Sequence, residues 1–170
     1  SRGLGDVYKR QLYCIDKEFK IQNHEKNIGI SNTFAWSPDN DKFYFCDTLT
    51  GVINSYDYDF KNNKILNKKE FAKFDRGYPD GSTVDSEGYL WNCRWGGSCV
   101  VRFNHKGEVD TVIEMPVPNI TSCTFGGKDL KTLFVTTAKM GMSDEEKVKY
   151  PEAGNILSLI HISEPTRPLH

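Results

Sequence analysis

Three stretches of this chain repeat one another at a spacing of forty-odd residues, and that period constrains the fold more than any other feature. Asn32-Thr33-Phe34-Ala35-Trp36-Ser37-Pro38-Asp39 leads to Phe43-Tyr44-Phe45-Cys46-Asp47. Asp80-Gly81-Ser82-Thr83-Val84-Asp85 leads to Tyr89-Leu90-Trp91-Asn92-Cys93, and Ser122-Cys123-Thr124-Phe125-Gly126-Gly127 leads to Leu133-Phe134-Val135-Thr136-Thr137. The three units begin 48 and 42 residues apart. Short β-branched and aromatic runs at this period are the signature of a four-stranded propeller blade. The expected fold is all-β, with about three blades of four-stranded antiparallel sheet.

Each unit supplies its strands in order. Strand A ends in a turn rich in Pro, Asp, Asn or Gly (38–40, 86–88 and 126–129), and an aromatic, β-branched strand B follows. Strand C alternates apolar and polar residues at 51–57 and 99–104 and is expected again at 154–156; strand D is expected at 64–72 and 109–113. Leu12 to Asp16 reads as strand C of an earlier blade, with Phe19-Lys20-Ile21 as its strand D. Ser143 and Glu146 have capping-box spacing, which predicts a short helix between strands B and C of the last unit.

The two ends fall outside this pattern. Each of the first eleven residues can be encoded by the antiparallel complement of a codon for residues 157–167 taken in reverse, from Ser1 with Arg167 to Gln11 with Leu157. One DNA element read on opposite strands produces this relation, and it looks like the transposase adapter of short-read libraries. Residues 1–11 and 157–170 are therefore expected to be adapter-derived, and 12–156 to be a partial propeller. The full chain carries a net charge of −1, whereas residues 12–156 hold 18 basic against 21 acidic side chains.

That balance offers no basic field to a nucleic acid, and no run of 18 apolar residues offers a membrane span. Only His24 and His105 fall in 12–156, which thins the case for Ser-His or Cys-His catalysis. Five cysteines without a Cys-x-x-Cys pair read as small buried thiols in a reducing, cytoplasmic setting.

In an up-and-down blade the starts of strand A and the B-to-C loops share one opening. Asn32, Asp80 and Ser122 hold the same repeat position there, so three blades converge on the axis. Asn and Asp before a strand are also ordinary turn residues; their common register is what marks a site. Their oxygens suit a hard divalent cation such as Ca²⁺ or Mg²⁺, with Zn²⁺ or Mn²⁺ as substitutes. Asp47, Arg94, Trp95 and residues 138–150 are candidate walls of a substrate pocket.

Several of these residues carry a resemblance. Ile30-Ser31-Asn32 before Ala35-Trp36-Ser37-Pro38-Asp39, then Pro79-Asp80-Gly81, Gly96-Gly97 before Val100-Val101-Arg102-Phe103, Ser122-Cys123-Thr124-Phe125-Gly126-Gly127 and Pro151-Glu152-Ala153-Gly154 resemble the regucalcin and gluconolactonase (senescence marker protein) family over nearly all of 12–156. The resemblance implies the C-terminal half of a six-bladed propeller that hydrolyses a small sugar lactone with one axial divalent metal. It implies Asn32 and Asp80 as two of the metal ligands, with a Glu ligand upstream of this chain, and Asp80 as general base. Thr33 departs from the pattern, because the family usually places Gly after the metal-binding Asn and a β-branched residue disfavours positive φ. The alternatives are a calcium-binding propeller without turnover and an aryl ester or organophosphate hydrolase.

Overall fold

The computed structural model describes residues 10–159, which form four antiparallel sheets. The first pairs β1 (Arg10–Ile15) with β2 (Ile21–Ile28). The second runs in chain order through β3 (Ser31–Trp36), β4 (Lys42–Asp47), β5 (Val52–Asp59) and β6 (Lys64–Lys73). The third does the same with β7 (Tyr78–Val84), β8 (Leu90–Trp95), β9 (Cys99–Phe103) and β10 (Val109–Glu114). The fourth joins β11 (Ile120–Gly126), β12 (Thr132–Thr137) and β13 (Ile156–Leu159). Two whole blades stand between two partial ones, and the chain is an incomplete β-propeller.

Several boundaries differ from the sequence expectation. The second strand of the first blade begins at Ile21, because Phe19 adopts φ 60 in the turn that Asp16 organises by accepting from the Glu18 and Lys20 amides. The last strand begins at Ile156 and continues through Leu159, pairing residue by residue with β12. Arg10 and Gln11 likewise belong to β1. Residues 1–9 and 160–170 of the expected adapter segments lie outside the described residues.

Apolar side chains collect in the seams between consecutive blades. Leu12 and Ile28 meet Phe43, Phe45 and Tyr56 in the first seam. Ala35, Tyr44, Cys46 and Ile53 meet Leu90, Val101 and Phe103 in the second, and Trp91, Cys93 and Val100 meet Ile120, Cys123, Leu133 and Val135 in the third. Burying side chains such as Ile53 and Phe103 contributes roughly 1.5–3 kcal/mol each. Strand B of each whole blade, β4 and β8, is buried along nearly its whole length because a seam covers each face, whereas β5 mixes buried and half-buried positions. Four cysteines are buried in these seams and Cys14 is half-buried; all five are free, as expected.

The helix predicted by the capping box is present as α1 (Asp144–Lys149). Ser143 accepts from the Glu146 amide while the Glu146 carboxylate accepts from the Ser143 amide. On the opposite rim, the A-to-B turns of the second and third blades and His105 line a groove of about 360 Å³ with Asp41, Tyr44 and Glu87.

Candidate metal centre at the hub

The innermost strands β3, β7 and β11 lie side by side, so the three repeat positions named from the sequence do converge. Each strand also breaks register at that place. Pairing of β3 with β4 is interrupted between Asn32 and Ala35, of β7 with β8 between Pro79 and Ser82, and of β11 with β12 between Ile120 and Ser122. A bulge frees backbone groups from the ladder and turns side chains out of the pleat, a device common beside active sites. Contact across the hub is close. A Cβ added to Gly81 would lie 2.5 Å from Ser122 Oγ and 2.7 Å from the Thr121 carbonyl oxygen, so only glycine allows β7 and β11 to approach this far.

Asn32 is half-buried, and its Nδ2 donates to Thr48 Oγ1 at 2.8 Å. Thr48 in turn donates to the Pro79 carbonyl at 2.8 Å. Thr33, fully enclosed, adopts φ 58, the left-handed conformation that glycine would take more easily. A β-branched residue there costs about 1–2 kcal/mol. Its hydroxyl compensates by donating to the Asp80 carbonyl at 2.8 Å, and Thr33 Oγ1 accepts from Cys46 Sγ, Ser82 Oγ and Asn92 Nδ2 at 3.2–3.3 Å. Asp80 itself is half-buried, and burial pushes its carboxyl up to about 6, relieved only by the Gly81 amide. A desolvated carboxylate of this kind favours a cation or a proton beside it.

The other named residues do different work. Asp47 accepts from the amides of Gly29 (2.8 Å), Ile30 (3.0 Å) and Leu49 (3.1 Å). Burial pushes its carboxyl up, but the three amides outweigh that and hold it below the usual range. Arg94 is completely buried, and its guanidinium donates to the carbonyls of Phe74 (2.7 Å), Gly77 (2.8 Å) and Arg76 (3.1 Å) and to Asn92 Oδ1 (2.9 Å). Both side chains fasten the segment that enters strand A of their own blade. Trp95 is half-buried opposite Tyr78 at the end of β8. Ser122 is exposed beside Gly81, and residues 138–150 are tied back through Asn119, whose Nδ2 donates to the Met140 carbonyl at 3.1 Å.

Among the described residues no group of three or more His, Cys, Asp or Glu is placed to hold an ion. Asn32 and Asp80 nonetheless fit a hard divalent cation in part. They offer one amide oxygen and one under-solvated carboxylate from adjacent bulges, and further oxygens would have to complete the shell. Sequence reasoning passed over Thr48 and Asn92. Asn92 carried a signal, since a polar amide between Trp91 and Cys93 on a buried strand must find partners.

Known proteins share the sequence pattern and the fold. The family described as SMP-30/Gluconolactonase/LRE-like region matches residues 3–139. Regucalcin of Danio rerio is 36% identical over 152 residues, covering 88% of this chain and 52% of that protein. The putative sugar lactone lactonase YvrE of Bacillus subtilis is 34% identical over 158 residues, covering 91% and 54%. Among solved structures, the calcium-binding protein regucalcin from Agrobacterium tumefaciens superposes with a TM-score of 0.82 at 29% identity, covering 88% of this chain and 51% of that one. The chain thus spans about half the length of the relatives it matches. By its repeats, its bulged hub and these matches, the chain belongs to the SMP-30/gluconolactonase/LRE-like family.

Proposed function

We propose that this chain is part of a metal-dependent sugar lactonase, a hydrolase that opens the carboxylic ester bond of an aldonolactone. The observation that carries the reading is the pairing of Asn32 and Asp80 on adjacent bulges, with the Asp80 carboxyl raised to about 6 by burial. Asn32 and Asp80 would hold one divalent cation, Ca²⁺, Zn²⁺, Mn²⁺ or Mg²⁺, together with a Glu from a more N-terminal blade. When bound, the ion supplies Lewis acidity that polarises a lactone carbonyl and stabilises the oxyanion. Asp80 takes up the proton of the attacking water. A pocket built this way asks for neither histidine, and it fits a small, uncharged, oxygen-rich substrate.

The names of the matched relatives support both turnover and calcium binding. Hydrolysis of aldonolactones, tested beside phosphotriesters and aryl esters in the complete reading frame, separates the lactonase from its alternatives. Asp80→Ala should abolish that hydrolysis and weaken metal binding; undiminished turnover would sink the assignment. The reading of residues 12–156 as the native segment, cut at both ends by adapter sequence, belongs to the same proposal. Genomic sequence across Leu12 and Ile156 tests it, and a frame continuous with residues 1–11 or 157–170 would reject it.

A further inference from the structure

The hub contains a hydrogen-bond chain whose direction is fixed by chemistry. A backbone carbonyl can only accept, so the Thr48 hydroxyl hydrogen is committed to Pro79 O at 2.8 Å. Thr48 Oγ1 can then serve Asn32 only as an acceptor. The Asn32 amide must turn its NH₂ toward Thr48, as it does at 2.8 Å, and its Oδ1 is left free of that contact. A flipped amide would set two oxygens against each other with no hydrogen between them. Thr33 repeats the logic one residue on, where its hydroxyl donates to the Asp80 carbonyl at 2.8 Å. Both hydroxyls cross from the second blade to the third, and they grip the consecutive carbonyls of Pro79 and Asp80 where the β7 bulge begins.

We propose that Thr48 and Thr33 are positioning residues that preset the hub for a divalent cation. Thr48 orients the Asn32 amide so that its oxygen is the ligand, and Thr33 fixes the Asp80 backbone against the neighbouring blade. The inference rests on the metal reading of Asn32 and Asp80 and adds to it the groups that aim them. Partners that orient metal ligands are typically worth about 10–100-fold in affinity.

The test uses the complete reading frame and Mn²⁺ alone, titrated by electron paramagnetic resonance at a temperature where every variant is folded by circular dichroism. Thr48→Val, which keeps shape but not the hydroxyl, should bind Mn²⁺ about 10–100-fold more weakly, whereas Thr48→Ser should stay within about twofold of wild type. A second readout needs no metal. The Asn32 side-chain amide protons should exchange slowly in wild type and Thr48→Ser, and fast in Thr48→Val. Thr33→Val should weaken Mn²⁺ binding without altering Asn32 exchange. Thr48→Val that binds Mn²⁺ like wild type, or that leaves Asn32 exchange unchanged, overturns the inference. Wild type that binds no Mn²⁺ while the exchange pattern holds overturns the metal reading and leaves the amide orientation supported.

Discussion

The second and third blades solve one problem with opposite charges. Asp47, the last residue of β4, and Arg94, the last but one of β8, each stand one residue after the equivalent Cys46 and Cys93. Each fastens the segment leading into strand A. In the second blade that segment offers amide hydrogens from Gly29 and Ile30, and a carboxylate receives them. In the third it offers carbonyls from Phe74, Arg76 and Gly77, and a guanidinium satisfies them. The repeat position therefore prescribes a task, and the local orientation of the backbone selects the residue type. Two residues that look like pocket walls in sequence are in fact fasteners.

Arg94 should matter most. Arg94→Leu takes the guanidinium donors from three part-buried carbonyls and from the buried Asn92 Oδ1, and a penalty of about 3 kcal/mol or more is expected in urea unfolding. A loss below about 1 kcal/mol would break the comparison, by showing that water replaces the guanidinium without penalty. Asp47→Ala comes next, at about 1–2 kcal/mol, because its donors are nearer solvent. The pH dependence sharpens this. The Asp47 carboxyl is held below its unfolded value, so its contribution is present above the ordinary carboxylate range and fades as pH falls through the depressed value. Wild type and Asp47→Ala should converge in acid unfolding curves.

Asp80 supplies the opposite case. Its folded value of about 6 lies above the unfolded 3.8, so the folded state binds the extra proton and stability falls as pH rises across that window. Asp80→Asn should stabilise the ion-free chain above pH 6 by roughly 1 kcal/mol, after allowing for partial solvent screening, and leave it unchanged below pH 4. Metal affinity should rise over the same interval, since ion and proton compete for one carboxylate. The smallest effect is expected for Thr33→Gly. Relief of left-handed strain offsets loss of the hydroxyl contacts, and the net change should stay within about 1 kcal/mol in thermal unfolding.

The blades, their order and the helix at 144–149 were legible in the sequence, because alternation, turn residues and a capping box are local signals. The convergence of Asn32, Asp80 and Ser122 was legible through repeat register alone. The roles of Asp47 and Arg94 were not, since an exposed pocket charge and a buried clasp look alike until the backbone direction beside them is known. Thr33 shows the same limit from another side. Its sequence argued against positive φ, yet φ is 58, because four polar neighbours around one hydroxyl outweigh the steric cost. Thr48 gave no signal at all, because its importance lies in which of its two hydrogen-bonding capacities is already spent.

The threonine links join the second and third blades along their innermost strands, and the apolar seam of Ala35, Tyr44, Cys46 and Ile53 against Leu90, Val101 and Phe103 joins them farther out. The two blades are thus riveted at the spine and glued across the page. Spacing at the hub is set by directional hydroxyl bonds, while the seam behind it resists splaying without dictating direction. Asn32 and Asp80 are kept in gauge by two contacts of different physical kind.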